Sequence, residues 1–164
     1  ENLIHGILSY ARVGKEKQEK EDVDLNQVVD EVGECLITKT GLKLIIHPKL
    51  PKLFTEKVPL VQIFSNLIGN AIKHHDKKNG LIKIYHKDHL HHYEFFVEDN
   101  GPGIGMTYHK KIFVIFQTLQ ERDTHESTGV GLAIVKKILD DRNQRIHITS
   151  DAGKGAIFSF TWPK

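Results

Sequence analysis

The sequence predicts an α+β fold, a two-layer α/β sandwich in which helices pack on a mixed β-sheet. Segments with apolar residues three and four positions apart interleave with short segments rich in β-branched and aromatic residues, the patterns of amphipathic helices and of strands. The strand segments come as hairpins rather than as repeated strand–helix units, which argues against a doubly wound parallel sheet. With 164 residues, the chain can bury one substantial core.

The composition is that of a globular domain, with 39% hydrophobic and 27% charged residues. The 23 Lys and Arg residues nearly balance the 21 Asp and Glu residues, so the charge gives no indication of a nucleic-acid partner. Cys35 is the single cysteine, which excludes an internal disulfide and a cysteine zinc cluster. Neither an apolar run of about 18 residues nor a signal peptide is visible. We therefore expect a cytoplasmic location and no membrane contact from this fragment.

The first helical pattern covers residues 1–20 and becomes strongly charged after Val13. Because the chain starts inside this pattern, we expect it to be a fragment of a longer protein. A short helix with one apolar stripe must bury that stripe against another helix. Nothing nearby in the sequence is an obvious partner, so a second chain is one candidate.

The second helical pattern follows Asp24, the expected N-cap, with Gln27 three residues later in a capping-box position. Its expected core stripe consists of Leu25, Val28, Val29, Val32 and Leu36. The pattern ends at Gly41, a strand is predicted over 42–46, and prolines mark the loop that follows.

The third helical pattern, over 59–75, has a wide apolar arc with three polar residues at one edge. At 100° per residue, Asn66, Asn70 and Lys73 fall within about 60° of one another. Asparagine is a poor helix former, so two of them one turn apart need a reason. Amide oxygens suit Mg²⁺, and a lysine one turn on could contact a phosphate. The alternative is the solvent-facing boundary of an ordinary helix.

A hairpin of strands over 81–86 and 93–99 ends in a carboxylate. Alternation places Asp99 on the same face as Phe95 and Val97, which is the expected core side. Burying a carboxylate without partners costs several kcal/mol, and glycines at positions 101, 103 and 105 let the backbone turn sharply beside a ligand. The pattern indicates a pocket floor, or alternatively a surface turn in which Asp99 caps Gly101.

The second half of the chain contains a short helical pattern over 108–116 and a polar, aperiodic segment over 117–128. A helix then begins at the glycines near position 130, where its N–H groups would face an anion. Two strands, over 145–149 and 156–162, close the chain around a glycine turn at 153–155. Four histidines flank the hairpin turn near position 89, and strand alternation would scatter them, so we expect a solvated tip rather than a metal site.

In this order, the segments resemble the ATP-binding domain of sensor histidine kinases, within the gyrase/Hsp90/MutL-like (GHKL) superfamily, and most of all phytochrome-related bacterial two-component kinases. The resemblance covers nearly the whole chain. Its boxes are the N box at 66–74, the G1 box at 99–105, the F box at Phe113 and Phe116, the G2 box at 129–133 and the last glycine turn at 153–155. It implies a Bergerat-type sandwich with a mostly antiparallel sheet covered by helices on one face, plus an N-terminal helix.

The resemblance also implies the site and its cofactors, ATP and Mg²⁺. Asp99 would accept a hydrogen bond from the adenine amino group, Asn70 would bind the metal, and residues 117–128 would form a lid. The nucleotide-binding residues that it implies are Asn66, Asn70, Lys73, His74, Asp99, Gly101, Gly103, Ile104, Gly105, Phe116, Arg122, Thr128, Gly129, Val130, Gly131 and Leu132.

One position separates mechanisms within the superfamily. The ATPase branches have a water-activating glutamate where this chain has Asn66, and an amide cannot act as a base near neutral pH. The resemblance therefore implies a protein-histidine kinase that positions ATP for attack by a histidine of the same kinase, upstream of Glu1. His5 precedes Gly6 and does not match the phosphoacceptor motif.

The implied organisation is the end of a dimerisation helix and a linker over 1–20, followed by the ATP-binding catalytic domain over 21–164. Implied partners are the kinase's own dimerisation and phosphoacceptor domain, a response-regulator receiver domain and a second copy through the N-terminal helix. The alternative is a non-catalytic nucleotide-binding regulatory module. A Rossmann site is excluded because Gly129 follows a polar loop rather than a strand.

The sequence departs from the family pattern in two places. Residues 141–145 replace the usual His-x-Gly-Gly turn, although Asn143 tolerates a left-handed conformation. Ala156 and Ile157 stand where serine and threonine are common, which puts the affinity for adenine, not the fold, in doubt.

Overall fold

The computed structural model describes residues 8, 10–12, 18–37, 40–115 and 129–164. Within these ranges the elements are β1 (Glu21–Asp24), α1 (Leu25–Ile37), β2 (Lys43–Ile46), β3 (Lys52–Thr55), α2 (Lys57–Lys73), β4 (Leu81–Asp88), β5 (His92–Asp99), 3₁₀ turns at Met106–Tyr108 and Lys111–Phe113, α3 (Gly131–Asp140), β6 (Ile146–Ser150) and β7 (Ala156–Pro163).

The main sheet has five strands in the order β2-β4-β5-β7-β6. Strand β2 runs parallel to β4, and the other neighbours are antiparallel. A separate antiparallel pair joins β1 to β3. The described structure is thus a mixed, mostly antiparallel sheet with helices packed against it, and the predicted α+β sandwich is confirmed.

The core lies between the sheet and the helices. Phe64 of α2 packs edge-on against Phe95 of β5 and Phe160 of β7, with ring centroids 6.1 and 5.5 Å apart. These three rings are completely or almost completely buried, so α2 is fixed on the centre of the sheet. The polar edge of α2, on the side of the helix away from these rings, carries Asn66 and Asn70.

Helix α1 begins at the expected cap. The Oδ1 of Asp24 accepts a 3.0 Å hydrogen bond from the N–H of Asn26, and the hydrogen bonds from Asn26 lower the pKa of Asp24 to about 2. The predicted capping box is not among the hydrogen bonds of the described residues, in which the Nε2 of Gln27 donates to the Oε1 of Glu31 at 2.8 Å. Leu36, expected in the core stripe, is 37% exposed.

One further local expectation was wrong, and two strands were missed. The predicted helix over 108–116 is a pair of 3₁₀ turns as far as it is described, because four apolar residues in a short segment do not distinguish an α-helix from tighter turns. Strands β1 and β3 were not predicted, since each has only four residues, too few for a periodic signal.

Helix α3 ends in a Schellman motif built on Asn143. The N–H of Asn143 bonds to the carbonyl of Asp140 at 3.0 Å, and the N–H of Gln144 bonds to that of Leu139 at 2.8 Å. Asn143 has φ 54°, the left-handed conformation that this motif requires of the residue after the cap. The departure from the glycine pattern therefore leaves the turn intact.

Residues 8 and 10–12 are helical, in agreement with the first helical pattern. The carbonyl of Tyr10 accepts a 3.0 Å hydrogen bond from the Nζ of Lys137, which also lies 4.6 Å from the centre of the Tyr10 ring. This segment thus has a partner within the chain, helix α3, that the sequence did not indicate. Most of the pattern over 1–20, including His5, lies outside the described residues.

Candidate nucleotide-binding site

Helix α2 forms one wall of the site. Leu67, Ile68 and Ala71 are buried on its inner side, while Asn66 and Asn70, one turn apart, are only half-buried. The side-chain amide of Asn66 donates a 2.8 Å hydrogen bond to the carbonyl of Gln62. This bond leaves the Oδ1 of Asn66 on the outer side of the helix, facing helix α3.

The start of α3 lies against Asn66. A Cβ placed on Gly131 would be 2.6 Å from the Oδ1 of Asn66, so any larger residue there would have to displace the Asn66 side chain. No side chain of the described residues caps the helix, whose N-cap is Val130. The first N–H groups of a helix have no acceptor within it and attract anions. The structure therefore brings together the N box and the G2 box around an anion-favouring helix start.

Asp99 marks the other end of the site. It is the last residue of β5, paired with Ile82 of β4 and Ala156 of β7, and its Oδ1 accepts a 2.8 Å hydrogen bond from the N–H of Gly101. Burial raises the pKa of this carboxyl group, while the Gly101 N–H and the nearby His75 act in the opposite direction. Asp99 thus caps Gly101, as the alternative of a surface turn predicts, while its carboxyl group is also partly desolvated; the pocket floor stays a prediction.

The glycine turn after Asp99 is held by the last turn of the sheet. The carbonyl of Pro102 accepts a 2.5 Å hydrogen bond from the N–H of Gly153. Gly103 has φ 73°, and a Cβ there would overlap the carbonyl oxygen of Asp151. The G1 box and the last glycine turn are therefore in direct contact. Their backbones approach so closely that only glycine, which has no Cβ, fits at position 103.

Ser150 joins these two turns and was missed from the sequence. Its hydroxyl accepts a 2.8 Å hydrogen bond from the N–H of Ile104 and donates a 2.7 Å bond to the carbonyl of Gly155. It is only 8% exposed. Strand alternation places it on the buried face with Ile146 and Ile148, so a buried serine beside a glycine turn was the available signal.

Helix α2 connects the two ends of the site. A Cβ on Gly101 would lie 3.8 Å from the carbonyl oxygen of His74, so the glycine turn adjoins the C-terminal end of the helix. Asn66 lies eight residues earlier, about 12 Å along the helix axis. The result is one surface with a desolvated carboxylate at one end and a helix N-terminus at the other, with Asn70 between them.

The remaining predicted residues that the structure describes form three groups. Lys73 is the last residue of α2 and His74 its C-cap, and both interact with other groups of the chain. Gly105 leads into the first 3₁₀ turn and Gly129 has φ 62°. The side chain of Val130 is buried and that of Leu132 packs against the core, so these residues offer a ligand mainly their backbone.

Part of the predicted site lies outside the described residues, namely Phe116, Arg122, Thr128 and the segment 117–128 to which the last two belong. Phe113, the other F-box residue, packs edge-on against Phe158 of β7 at 6.4 Å between ring centroids.

At the tip of the β4–β5 hairpin, the rings of His89 and His92 are stacked 4.6 Å apart, and the Nε2 of His89 lies 3.4 Å from Glu94. Among the described residues, no group of three or more His, Cys, Asp or Glu side chains could hold a metal ion. The helices of the described ranges include none that is long and apolar enough to cross a membrane.

Known proteins share this arrangement. Residues 55–164 match the family model described as histidine kinase-, DNA gyrase B- and HSP90-like ATPase, HATPase_c. The chain is 36% identical over 166 residues to phytochrome-like protein Cph1 of Synechocystis sp., covering 99% of this chain and 22% of that protein. It is 29% identical over 169 residues to the methanogenesis regulatory histidine kinase FilI of Methanothrix harundinacea, covering 99% of this chain and 19% of that protein. The chain thus spans about a fifth of the length of these curated relatives.

Solved structures agree with the sequence relatives. Full-length ShkA in complex with AMPPNP superposes with a TM-score of 0.84 at 25% identity, over 99% of this chain and 35% of that one. The catalytic domain of the histidine kinase ThkA gives a TM-score of 0.75 at 27% identity, over 90% of this chain and 97% of that one. The chain therefore belongs to the HATPase_c family, and it shares its fold with the catalytic domain of a histidine kinase.

Proposed function

We propose that this chain binds Mg-ATP and donates its γ-phosphate to a histidine of the same kinase, upstream of the fragment. The observation that carries the proposal is the contact between Asn66 and Gly131. It joins an anion-favouring helix start to a wall of amide side chains in the middle of α2, about 12 Å along the helix axis from the end that adjoins the Asp99 turn.

The two ends of the candidate site match the adenine end and the phosphate end of ATP. Asp99 accepts a hydrogen bond from the exocyclic amine of adenine, and the N–H groups at the start of α3 bind phosphate oxygens. The amide oxygen of Asn70 is a hard ligand suited to Mg²⁺, which neutralises phosphate charge when bound. Lys73 and His74 lie one turn further along the helix, on the Asp99 side of Asn70 and away from the start of α3, so we assign them no phosphate contact in this arrangement.

Asn66 decides the type of reaction. Its Nδ2 is bound to the carbonyl of Gln62, and an amide has no basic group to activate water. The site therefore holds ATP in position for an external nucleophile rather than hydrolysing it efficiently. In line with this, ShkA is a structural neighbour solved with AMPPNP, and ArcB of Escherichia coli, a respiration control sensor protein, is 30% identical over 168 residues.

Binding is tested by calorimetry with ATP and Mg²⁺. Asp99→Ala and Asn70→Ala should each abolish detectable binding, because one removes the adenine acceptor and the other the metal ligand. His147→Ala serves as the control, since His147 is exposed on β6 at the far edge of the sheet. Unchanged affinity in both site variants would contradict the assignment of the site.

Phosphotransfer is tested with radioactive γ-phosphate. The chain alone should not label itself, but it should label a supplied dimerisation domain that carries a phosphoacceptor histidine, with an acid-labile bond. Acid-labile labelling of His5 in the chain itself would contradict the proposal. Tight ATP binding without any transfer would favour the alternative, a nucleotide-binding regulatory module.

A further inference from the structure

His75 lies beside the candidate site, and neither the sequence patterns nor the family boxes assign it a role. It follows the C-cap of α2 and is half-buried. Its ring lies so close to Gly80 that a Cβ at that position would overlap it. The imidazole is therefore fixed between the end of α2 and the start of β4.

Both ring nitrogens have partners, and these define the tautomer. The Nδ1 of His75 accepts a 3.0 Å hydrogen bond from the N–H of Lys77, which places the ring proton on Nε2. The Nε2 lies 2.9 Å from the Oδ1 of Asn100 and donates to it. The same oxygen accepts a 2.8 Å bond from the N–H of Leu81.

Asn100 links this imidazole to Asp99. It lies between Asp99 and Gly101 in the chain, and its own carbonyl accepts a 2.7 Å bond from the Nζ of Lys77. Because the N–H of Gly101 bonds to the Oδ1 of Asp99, the position of Asn100 sets the orientation of the carboxylate. A path thus runs from the end of α2 to Asp99. It consists of the hydrogen bond from His75 to Asn100, the peptide bond from Asn100 to Gly101, and the hydrogen bond from Gly101 to Asp99.

We propose that His75 is a positioning residue for nucleotide-base recognition, acting through Asn100 and Gly101 to hold the Asp99 carboxylate toward the exocyclic amine of adenine. The proposal rests on the proposed function, and it adds a residue that determines base specificity without contacting the base. The half-buried Asp99 carboxylate interacts with the backbone N–H groups of Gly101 and Ala156. This path fixes the Gly101 side of that pair, and fixed orientation is what makes a hydrogen-bond acceptor selective.

The test compares the affinities of ATP and inosine triphosphate for the whole chain, because inosine has a carbonyl where adenine has the exocyclic amine. His75→Leu keeps the bulk against Gly80 but removes the donor, and we expect about a tenfold loss of ATP affinity with less than about a twofold loss for inosine triphosphate. His75→Gln retains an N–H for Asn100 and should stay within about threefold of the unchanged chain for both nucleotides.

A double-mutant cycle separates positioning from general support of the fold. In an Asp99→Asn background, His75→Leu should have no further effect on ATP affinity, because the group through which it acts is already changed. His147→Leu provides the matched control for replacing a histidine. If His75→Leu is not folded by circular dichroism, Asn100→Ala breaks the same path from its other side and should show the same selective loss.

Equal losses for the two nucleotides, or no loss for either, would overturn the role of His75 while leaving the proposed function in place. An effect of His75→Leu that persists undiminished beside Asp99→Asn would do the same. Failure of the unchanged chain to bind ATP would overturn both proposals.

Discussion

At the scale of single residues, Asp99 shows how a binding group differs from a stabilising one. Its carboxylate interacts with the backbone N–H groups of Gly101, at 2.8 Å, and of Ala156, yet burial still raises its pKa. When no ligand is bound, an ionised carboxylate in this position therefore lowers the stability of the protein. Groups kept for binding at a cost in stability are common at functional sites.

Asp99→Asn should raise the melting temperature of the ligand-free chain and weaken its ATP binding by about tenfold without abolishing it, because the amide oxygen still accepts from the adenine amine. The amide keeps the acceptor for Gly101 but carries no charge, so the desolvation penalty disappears. Because the folded-state pKa lies above the ordinary value of 3.8, the folded state of the unchanged chain is favoured most below that value and loses this stability as the pH rises through the raised pKa. Thermal unfolding between pH 4 and pH 8 should therefore show a gain in the variant that grows with pH.

Glu98→Gln is the control for that experiment. Glu98 is the neighbouring carboxylate on the opposite face of β5, and it accepts a 3.1 Å hydrogen bond from the hydroxyl of Tyr85. Its neutralisation should not raise the melting temperature. A gain of the same size in both variants would mean that overall charge, rather than the buried position of Asp99, is responsible.

At the scale of secondary-structure elements, the site depends on how α3 meets α2. The contact between Gly131 and the Oδ1 of Asn66 fixes the start of α3 beside the N box. Each helix presents a regular apolar face to the core, and both faces follow from the sequence. Which turn of α2 lies opposite the start of α3 follows only from the packing of those faces.

Gly131→Ala should lower ATP affinity by about tenfold or more while changing the stability by less than about 1 kcal/mol. The new methyl group must displace the Asn66 side chain, which is held by Gln62, and so disturbs the wall of the site. Calorimetry and chemical denaturation measure the two effects separately.

Gly69→Ala is the matched control, because a Cβ at Gly69 meets no atom within 4 Å. Alanine in place of this mid-helix glycine should stabilise the protein by about 0.5–1 kcal/mol. Loss of ATP affinity in the Gly69 variant equal to that in the Gly131 variant would show that the crowding of Asn66 is not the cause.

At the scale of the whole molecule, the ion pair between Arg142 and Glu56 joins elements that are distant in sequence. Arg142, just after α3, donates to the Oε2 of Glu56 from Nη2 at 2.6 Å and from Nε at 3.1 Å, and Glu56 is the N-cap of α2. The guanidinium also lies 5.5 Å from the ring centre of Trp162, whose indole N–H donates to Thr55. The departure from the family turn at 141–145 thus includes a contact between the end of α3 and the start of α2.

Arg142→Ala should destabilise the protein by about 1–3 kcal/mol, as measured by urea denaturation, because it leaves the largely buried Glu56 carboxylate without its partner. Lys136→Ala removes the exposed ion pair with Asp140, four residues apart on α3, and should cost less than about 0.5 kcal/mol. Equal losses in the two variants would contradict the importance of the Glu56 contact.

The sequence by itself determined most of the elements and named the candidate residues of the site. Periodicity gave helices α1, α2 and α3 and the strands of the main sheet, because burial of one face imposes a regular spacing of apolar residues. The asparagines of α2, the carboxylate at the end of β5 and the glycines after it were visible because each is unfavourable in its local setting without a function. Asn143 was recognised as a possible left-handed residue for the same local reason.

Only the tertiary structure decided how these groups meet. The contacts of Asn66 with Gly131, of Ser150 with Ile104 and of His75 with Asn100 join residues 65, 46 and 25 positions apart. No local pattern encodes such contacts, because they depend on how three helices and five strands pack against one another. The sequence thus supplied the chemistry of the proposed ATP site, and the packing of α2 between a helix start and a glycine turn supplied its geometry.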